Sequence, residues 1–181
     1  MPAVSYNPHY TIADYLTWDG DWELWNGTPV SMSPSPNFRH QQVAGNMYAL
    51  LRQQLRQQLR QSGACRDCHL AYEVDWHVDE HTVVRPDILI VCGNTPREFV
   101  ETVPAMIVEI LSPSTATKDR TAKRDLYALN NVSHYLLIDP DSQSLIHFTP
   151  ADSDGRHVTD PVTLPLHGDC SVTIDPAAIW N

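Results

Sequence analysis

The sequence predicts a mixed α/β fold, organised as a single domain over residues 1–181, from the order of its helical and strand-like segments. Apolar residues recur at helical spacing through residues 38–61 and Gly63 follows as a stop signal, so this segment is the clearest predicted helix. Short apolar runs rich in β-branched residues come next, and such runs are typical of buried strands. A second predicted helix, residues 115–130, separates two of these runs. This order predicts a parallel pair of strands with the helix packed on their sheet.

Residues 1–35 are predicted to form an N-terminal extension built around a β-hairpin. The segments 22–25 and 28–32 flank Asn26-Gly27, a dipeptide that favours the tight type I′ turn. Glu23 lies on the first of these strands, between aromatic and aliphatic residues. Acidic residues are rarely buried unless they are paired, so this segment alone favours a Glu23 that faces solvent.

The predicted strand at residues 105–112 carries an ionisable residue among aliphatic neighbours. Because side chains alternate across a strand, Glu109 shares a face with Ile107 and Leu111. Burying an unpaired carboxylate costs on the order of several kcal/mol, so a buried Glu109 needs a proton, a cationic partner or a metal ion. The alternative is that Glu109 lies at the end of the strand and faces water.

Two predicted strands, residues 71–78 and 85–91, precede the strand that carries Glu109. Pro86 can open a strand but cannot lie inside one, which makes Asp87 the first strand residue. If the second of these strands pairs antiparallel with residues 105–112, Asp87 and Glu109 come close together in space. The two carboxylates are therefore candidates for one shared site.

Residues 141–181 are predicted to add further strands after the central part of the chain, residues 36–140. The run 133–139 returns as a strand after the second helix, and a Pro-Asp turn leads into another at residues 145–148. A short strand at 172–174 and one helical turn at 176–180 end the chain.

Both lysines of the chain lie near the start of the second predicted helix, at Lys118 and Lys123. Asp119 and Lys123 are spaced i, i+4 in the favourable order. The spacing alone favours an exposed ion pair on the helix surface, worth about a few tenths of a kcal/mol.

The net charge of −10 is distributed unevenly, with −4 over residues 1–35, 0 over 36–138 and −6 over 139–181. A neutral middle with acidic ends counts against a protein that binds nucleic acid by charge alone, although a bound divalent cation would offset part of it. Arg52, Arg56 and Arg60 line one face of the first helix at intervals of four. They are interpreted as a solvated face, with a phosphate-contacting ridge as the alternative.

The segment Cys65-Arg-Asp-Cys68-His69 matches a short haem-attachment pattern, and its two cysteines also suggest zinc or redox chemistry. Zinc needs two more ligands, for which Cys92 or a histidine could serve. The start of the chain shows no basic-then-apolar signal segment, and no apolar run reaches the length of a membrane span. The sequence therefore predicts a cytoplasmic protein whose cysteines are reduced residues of loops, with Cys170 on its own.

An ordered set of motifs covers most of the chain. In chain order the motifs are Trp22-Glu-Leu-Trp-Asn-Gly27, Ser33-Pro-Ser-Pro36 with Arg39-His-Gln41, Arg85-Pro-Asp87, Ile107-Val-Glu-Ile-Leu-Ser-Pro-Ser-Thr115, Asp119, Lys123, Tyr127 and His134-Tyr-Leu-Leu-Ile-Asp-Pro140. Together these motifs resemble the PD-(D/E)xK nuclease superfamily and, more narrowly, the Uma-two family of bacterial restriction endonucleases. The resemblance implies a restriction endonuclease-like core in residues 36–140: a helix, a three-stranded antiparallel meander, a second helix and a parallel strand.

The resemblance also implies a metal-dependent site. Asp87 and Glu109 would bind Mg²⁺ or Mn²⁺, with help from the backbone carbonyl of Ile110. The superfamily lysine usually stands two residues after the second acid, where this chain has Leu111. The family resemblance assigns that role to Lys123 on the following helix. It adds two residues to the expected catalytic set, Glu23 as a further acid and His40 from the first helix.

The function implied by the resemblance is hydrolysis of DNA phosphodiester bonds by a metal-dependent endonuclease, with DNA as the partner and a homodimer as the expected assembly. Two alternatives stay open from the sequence. One is a catalytically idle nuclease fold that acts as a binding or regulatory module. The other is a metal-dependent hydrolase of a different substrate, which an acidic surface would tolerate better.

Overall fold

A computed structural model describes residues 8–32, 37–93, 95–112 and 116–180. The helices in these ranges are α1 (Ile12–Tyr15), α2 (Phe38–Ser62), α3 (Ala116–Lys118) and α4 (Arg124–Leu129). A π-helical turn (Asp119–Lys123) joins α3 to α4, and a 3-10 turn (Pro176–Ala178) lies near the end of the chain. The strands are β1 (Trp22–Trp25), β2 (Thr28–Ser31), β3 (Cys68–Tyr72), β4 (Trp76–Asp79), β5 (Thr82–Val84), β6 (Ile88–Cys92), β7 (Met106–Ile110), β8 (His134–Asp139), β9 (Ser144–Thr149), β10 (Asp152–His157), β11 (Val162–His167) and β12 (Cys170–Ile174).

A six-stranded sheet forms the centre of the fold, in the order β10-β9-β8-β7-β6-β3. Its strands pair antiparallel except for β7 and β8, which run parallel. The segment from α3 to α4 connects these two parallel strands, as the strand–helix–strand order of the sequence predicts. The mixed α/β fold with a helix, an antiparallel meander, a second helix and a parallel strand is therefore confirmed.

Helix α2 follows its predicted bounds closely. Asn37 caps its first turn by accepting a hydrogen bond from the backbone N–H of His40 at 2.9 Å, and Gly63 ends it in the left-handed conformation with φ 73°. Val43, Met47, Leu51 and Leu55 of its apolar stripe are buried against the central sheet, whereas Leu59 in its last turn is 44% exposed. The segment before the helix also offers Ser35 as an N-cap candidate, and that residue lies outside the described residues.

The predicted N-terminal hairpin is present as β1 and β2, joined by Asn26 and Gly27 with φ 44° and 74°. These two positive φ values are those that a type I′ turn requires. Strand β1 also pairs with β5, so the hairpin forms a four-stranded sheet in the order β2-β1-β5-β4. This second sheet brings the N-terminal segment next to the central one.

The prediction of one continuous strand at residues 71–78 is wrong. The chain leaves the central sheet after β3, where Glu73 adopts a left-handed backbone with φ 50°, and β4 then joins the other sheet. Asp75 stabilises this change of sheet, because its carboxylate accepts hydrogen bonds from the Tyr15 hydroxyl at 2.8 Å and from Arg85 Nε at 2.7 Å. Tyr15 is 60 positions from Asp75 and Arg85 is ten positions away, so neither contact shows in the alternation of the segment itself.

The prediction of reduced, unpaired cysteines is also wrong for this structure. Cys65 and Cys170 form a disulfide between the end of α2 and the start of β12, and Cys68 and Cys92 form a second one between β3 and β6. In disulfides these sulfur atoms are not thiolates, so the haem and zinc interpretations of the Cys-x-x-Cys segment do not apply here. The first pair joins residues 105 positions apart, a distance over which sequence spacing carries no signal.

The C-terminal hairpin of β11 and β12 packs on α2 and extends the apolar layer on that side of the central sheet. Gln54 of α2 exchanges hydrogen bonds with the backbone of Thr173, at 2.6 and 2.7 Å. His134 at the start of β8 contacts the carbonyl of Pro165 in β11 through Nε2 at 2.7 Å. Strands β10 and β11 were not predicted from the sequence.

In the ranges that the structure describes, no helix combines the length and apolar character needed to cross a membrane.

Candidate active site

The register of β6 and β7 brings the two predicted carboxylates to the same place. Strand β6 begins at Ile88, so the prediction that Asp87 is the first strand residue is wrong by one position. Ile88 pairs with Val108 in the antiparallel ladder, so Asp87 and Glu109 extend that register by one pair. Asp87 Oδ2 accepts a hydrogen bond from the backbone N–H of Ile110 at 2.7 Å. The predicted antiparallel neighbourhood of Asp87 and Glu109 is therefore confirmed.

Glu109 is buried, with 2% of its surface exposed, and it has a cationic partner. Its Oε1 accepts hydrogen bonds from Lys123 Nζ and from the hydroxyl of Tyr127, both at 2.6 Å. The alternative in which Glu109 faces water is wrong. The carboxylate can be buried in this central strand because hydrogen bonds from Lys123 and Tyr127 replace those that water would make.

Lys123 reaches Glu109 because the chain forms a π-helical turn at this point. The turn holds Asp119 and Lys123 inside the protein, at 1% and 4% exposure, with Lys123 Nζ 3.7 Å from Asp119 Oδ1. The hydroxyl of Tyr135 donates to the carbonyl of Asp119 at 3.0 Å and fixes the turn from the sheet side. The exposed i, i+4 ion pair expected from spacing alone is therefore wrong. Single π-helical turns occur frequently at functional sites.

Glu23 from the second sheet completes the cluster. It is 1% exposed, and its carboxylate accepts hydrogen bonds from Lys118 Nζ at 2.6 Å, from the backbone N–H of Arg85 at 3.0 Å and from Trp25 Nε1 at 3.1 Å. Lys123 Nζ lies 3.4 Å from its Oε1. The solvent-facing Glu23 that the hairpin segment suggested is wrong, because two lysines more than ninety residues away stabilise its charge.

His40, the last of the predicted site residues, lies in the first turn of α2 with its ring buried. Its Nε2 is 3.4 Å from Asp87 Oδ2. Burial disfavours the charged imidazolium, but the contacts with Asp87 and with the backbone of Ile110 outweigh it and raise the pKa of His40. The imidazole of His40, from α2, therefore contacts the carboxylate of Asp87, which lies next to β6 in the sheet.

The charges in the cluster perturb one another. Burial raises the pKa of Glu109 to about 8, and the charges of Asp119 and Asp87 add to this rise while Lys123 opposes it. For Glu23 the opposite holds: burial is outweighed by the nearby ammonium groups of Lys123 and Lys118, which lower its pKa to about 2. Burial also disfavours the Lys123 ammonium, yet its carboxylate neighbours raise the pKa of Lys123. Perturbed groups of this kind concentrate at functional sites.

Asp87 and Glu109 fit a hard divalent cation by the chemistry of their donor atoms. Their hydrogen bonds within the described ranges use Asp87 Oδ2 and Glu109 Oε1, which leaves Oδ1 and Oε2 as carboxylate oxygens for a cation. With all four carboxyl groups ionised, the cluster and its two lysines carry a formal charge of −2, which one divalent ion balances. A bound cation would favour the ionised form of Glu109 against the burial that raises its pKa. The described part of the chain contains no group of three or more His, Cys, Asp or Glu side chains arranged around a metal position. A backbone carbonyl and water would therefore have to supply the remaining ligands.

The structure thus gathers all five residues of the expected catalytic set around the end of β7. Asp87, Glu109 and Lys123 lie in the central part of the chain, Glu23 comes from the hairpin sheet, and His40 comes from α2. Sequence reasoning assigned no role to Lys118. Its signal was its rarity, because it is one of two lysines and both lie at this helix start.

Comparison with known proteins adds a family and a fold. The family model described as "Uma2: Putative restriction endonuclease" matches residues 12–173. A crystal structure described as that of a putative nuclease belonging to DUF820, from Anabaena variabilis ATCC 29413, superposes with a TM-score of 0.74 at 17% identity, covering 94% of this chain and 97% of that one. At that identity the likeness shows a shared fold. No curated protein matches the chain. Because the family match extends over most of the 181 residues, the chain belongs to the Uma2 family.

Proposed function

We propose that the protein is a metal-dependent endonuclease that hydrolyses phosphodiester bonds of DNA. The observation that carries this proposal is the buried contact of Glu109 with Lys123 at 2.6 Å beside Asp87 on the neighbouring strand. A structural sheet position has no need of a carboxylate and a lysine at its centre, since apolar residues of similar volume stabilise such positions at least as well. Membership in the Uma2 family supports the same activity.

Mg²⁺ or Mn²⁺ is the proposed cofactor, held by Asp87, Glu109 and the backbone carbonyl of Ile110. When bound, such an ion acidifies a water molecule and offsets charge on the phosphoryl group. In the reaction, a water oxygen forms a bond to phosphorus and the ester bond to one sugar oxygen breaks. The attacking water loses a proton and the departing sugar oxygen gains one, so the step is a hydrolysis and needs no oxidant or reductant.

The protein's own residues hold the reacting groups in position. Lys123 and Tyr127 both donate to Oε1 of Glu109, so they fix its orientation and stabilise its charged form. The backbone N–H of Ile110 and the ring of His40 act in the same way on Oδ2 of Asp87. Glu23 keeps both lysines at the site through its two oxygens. Fixed dipoles of this kind need no reorganisation when charge develops on the substrate.

The proposed partner is DNA, and a homodimer is the proposed assembly, because cutting both strands of a duplex uses two sites. The net charge of −10 favours one other candidate, a metal-dependent hydrolase of a substrate that is not a nucleic acid. Proteins that bind DNA mainly by charge are basic, and this chain is not. The substrate panel in the following experiment separates these two candidates.

The experiment incubates the protein with supercoiled plasmid, single-stranded DNA and RNA, each with Mn²⁺ and with a chelator. We expect nicking or linearisation of the plasmid that requires Mn²⁺ and that falls at least a hundredfold in Asp87→Ala. Arg124→Gln is the matched control, because Arg124 pairs only with exposed Asp125 in the described part of the chain, and it should cut at the normal rate. Wild-type protein that cuts none of the three polymers, or cutting that persists in Asp87→Ala, contradicts the proposal.

A further inference from the structure

The two lysines of the cluster differ in how much of each side chain a substrate can reach. The side chain of Lys123 is 5% exposed, and its Nζ lies within 4 Å of carboxylate oxygens from Glu109, Glu23 and Asp119. The side chain of Lys118 is 27% exposed and makes one ion pair in the described part of the chain, with Glu23. One ammonium group is enclosed, and the other lies at the edge of the same cluster.

Lys123 is poorly placed to contact a phosphate. To reach substrate, its Nζ would have to leave the 2.6 Å contact with Glu109. Among the described residues, that buried carboxylate would then keep the Tyr127 hydroxyl as its one side-chain donor. Breaking one side of a buried ion pair is costly because the remaining charge has no compensation. The enclosed lysine is therefore suited to holding Glu109 in place.

Lys118 is held in position but keeps donor capacity. Its Nζ donates to Glu23 Oε2 at 2.6 Å and lies 5.9 Å from the centre of the Trp25 ring, so a salt bridge and a cation–π contact fix the ammonium group. A lysine ammonium has three N–H donors, and Glu23 takes one of them. In the part of the chain that the structure describes, the other two have no hydrogen-bond acceptor, so they can serve one that approaches from solvent.

We propose that Lys118 is the residue that hydrogen-bonds a non-bridging oxygen of the scissile phosphate, and that Lys123 is a positioning residue for Glu109. This division of roles rests on the proposed nuclease function. Glu23 joins the two lysines, because its Oε2 holds Lys118 while its Oε1 faces Lys123 at 3.4 Å. No proton moves in this contact: Lys118 donates a hydrogen bond to an oxygen whose negative charge grows in the transition state.

The rival explanation is that Lys118 only neutralises buried Glu23. The two explanations differ when Glu23 loses its charge. If neutralisation is the whole role, Lys118→Met/Glu23→Gln should cut DNA as fast as Glu23→Gln alone. If Lys118 contacts phosphate, the double variant should stay as slow as Lys118→Met, because the missing donor is not replaced.

The test measures kcat and KM for Mn²⁺-dependent plasmid nicking, together with the melting temperature, for wild type, Lys118→Met, Lys118→Arg, Glu23→Gln and Lys118→Met/Glu23→Gln. We expect Lys118→Met to lower kcat by about a hundredfold, the typical effect of removing one transition-state donor, with KM changed by less than about threefold. Lys118→Arg, which keeps a charged donor, should recover most of the lost rate. Arg124→Gln serves again as the control outside the site.

Three results would overturn the assignment of Lys118 while leaving the nuclease function intact: a normal kcat in Lys118→Met, recovery of the rate in the double variant, or a Lys118→Arg variant as slow as Lys118→Met. If Lys118→Met lowers the melting temperature by more than a few degrees, Lys118→Gln takes its place, because glutamine can still donate to Glu23. Absence of cutting by wild type on every polymer would instead refute the proposed function, and the Lys118 assignment with it.

Discussion

The two faces of the central sheet bury different kinds of side chain, and β7 contributes residues to both: one face is apolar, and the other contains buried charged groups. Met106, Val108 and Ile110 enter the cluster formed with α2 and the β11–β12 hairpin, which is made of apolar side chains. Ile107 enters the opposite cluster, beside α4, where Glu109 is buried as well. On the first face, the area removed from water stabilises the fold; on the second, each buried charge depends on a specific partner.

The difference teaches that the two faces should respond differently to mutation and to pH. Truncating an apolar side chain on the α2 face leaves a cavity, whose cost does not depend on protonation. Removing a cation from the Glu109 face leaves buried carboxylates without that cationic partner, and the free-energy cost of burying them falls when they take up protons. Stability measured as a function of pH therefore separates the two faces.

The largest expected effect on stability is that of Lys123→Met. This variant leaves Glu109 and Asp119 buried beside an uncharged side chain, and removal of one partner from a buried pair costs about 3–5 kcal/mol of unfolding free energy. Urea denaturation at pH 8 and at pH 5 measures it. Without Lys123 the pKa of Glu109 rises further, so the variant must take up protons when it folds. The loss should be smaller at pH 5, because proton uptake costs less free energy near the unperturbed pKa of a carboxyl group; an equal loss at both pH values would mean that Lys123 contributes mainly by packing.

A comparable but pH-independent effect is expected from Leu51→Ala on the opposite face. Leu51 is fully buried in the α2 cluster, and such truncations cost about 2–5 kcal/mol. The same denaturation curves should show this loss unchanged between pH 8 and pH 5. The folded fraction should cut DNA at the normal rate, because Leu51 belongs to the apolar cluster and not to the site. A rate that fell with Leu51→Ala would show that the two faces are coupled.

A smaller effect on the free energy of unfolding is expected from the protonation of two histidines at the contact between the central sheet and the β11–β12 hairpin. His134 donates through Nε2 to the Pro165 carbonyl, so its Nδ1 accepts from His147 Nε2 at 3.0 Å when both rings are neutral. Burial, together with the nearby His134 and Arg156, lowers the pKa of His147 to about 4 against the opposing charge of Asp152. Burial also lowers the pKa of His134, against its hydrogen bond to Pro165.

The pKa values of both histidines are lower in the folded state than the unperturbed value of about 6.5. At pH values between the folded and the unperturbed pKa, the unfolded chain therefore binds more protons than the folded chain. The stabilisation is present above a pH of about 6.5 and is lost as the pH falls towards about 4. After allowance for partial exposure, we expect a loss on the order of 1–2 kcal/mol. His147→Gln should flatten this part of the pH–stability curve. An unchanged slope in His147→Gln would assign the pH dependence to other groups.

The neighbourhood of the two central carboxylates could be predicted from the sequence, because it depends on local pattern and on the pairing of successive strands. Pro86 predicts the start of β6 to within one residue, and alternation along β7 puts Glu109 on a defined face. Antiparallel pairing of neighbouring strands then brings Asp87 beside it. The long helix α2 was predictable for the same reason, since its apolar stripe and its Gly63 stop are local features.

The remaining features depend on partners that are distant in sequence. Glu23 looks like a solvent-facing strand residue until Lys118, 95 positions later, supplies its counter-charge. The π-helical turn that buries Lys123 keeps the i, i+4 spacing of an ordinary surface pair, so spacing cannot reveal it. The disulfide of Cys65 with Cys170 likewise joins segments that only the folded chain brings together.

The central claim is that Asp87 and Glu109 share one divalent cation, and calorimetric titration with Mn²⁺ in the absence of DNA tests it most directly. The account predicts one ion bound per chain by wild type, with binding lost in Asp87→Ala and retained in Arg124→Gln. No measurable binding by wild type, or an unchanged affinity in Asp87→Ala, would contradict it.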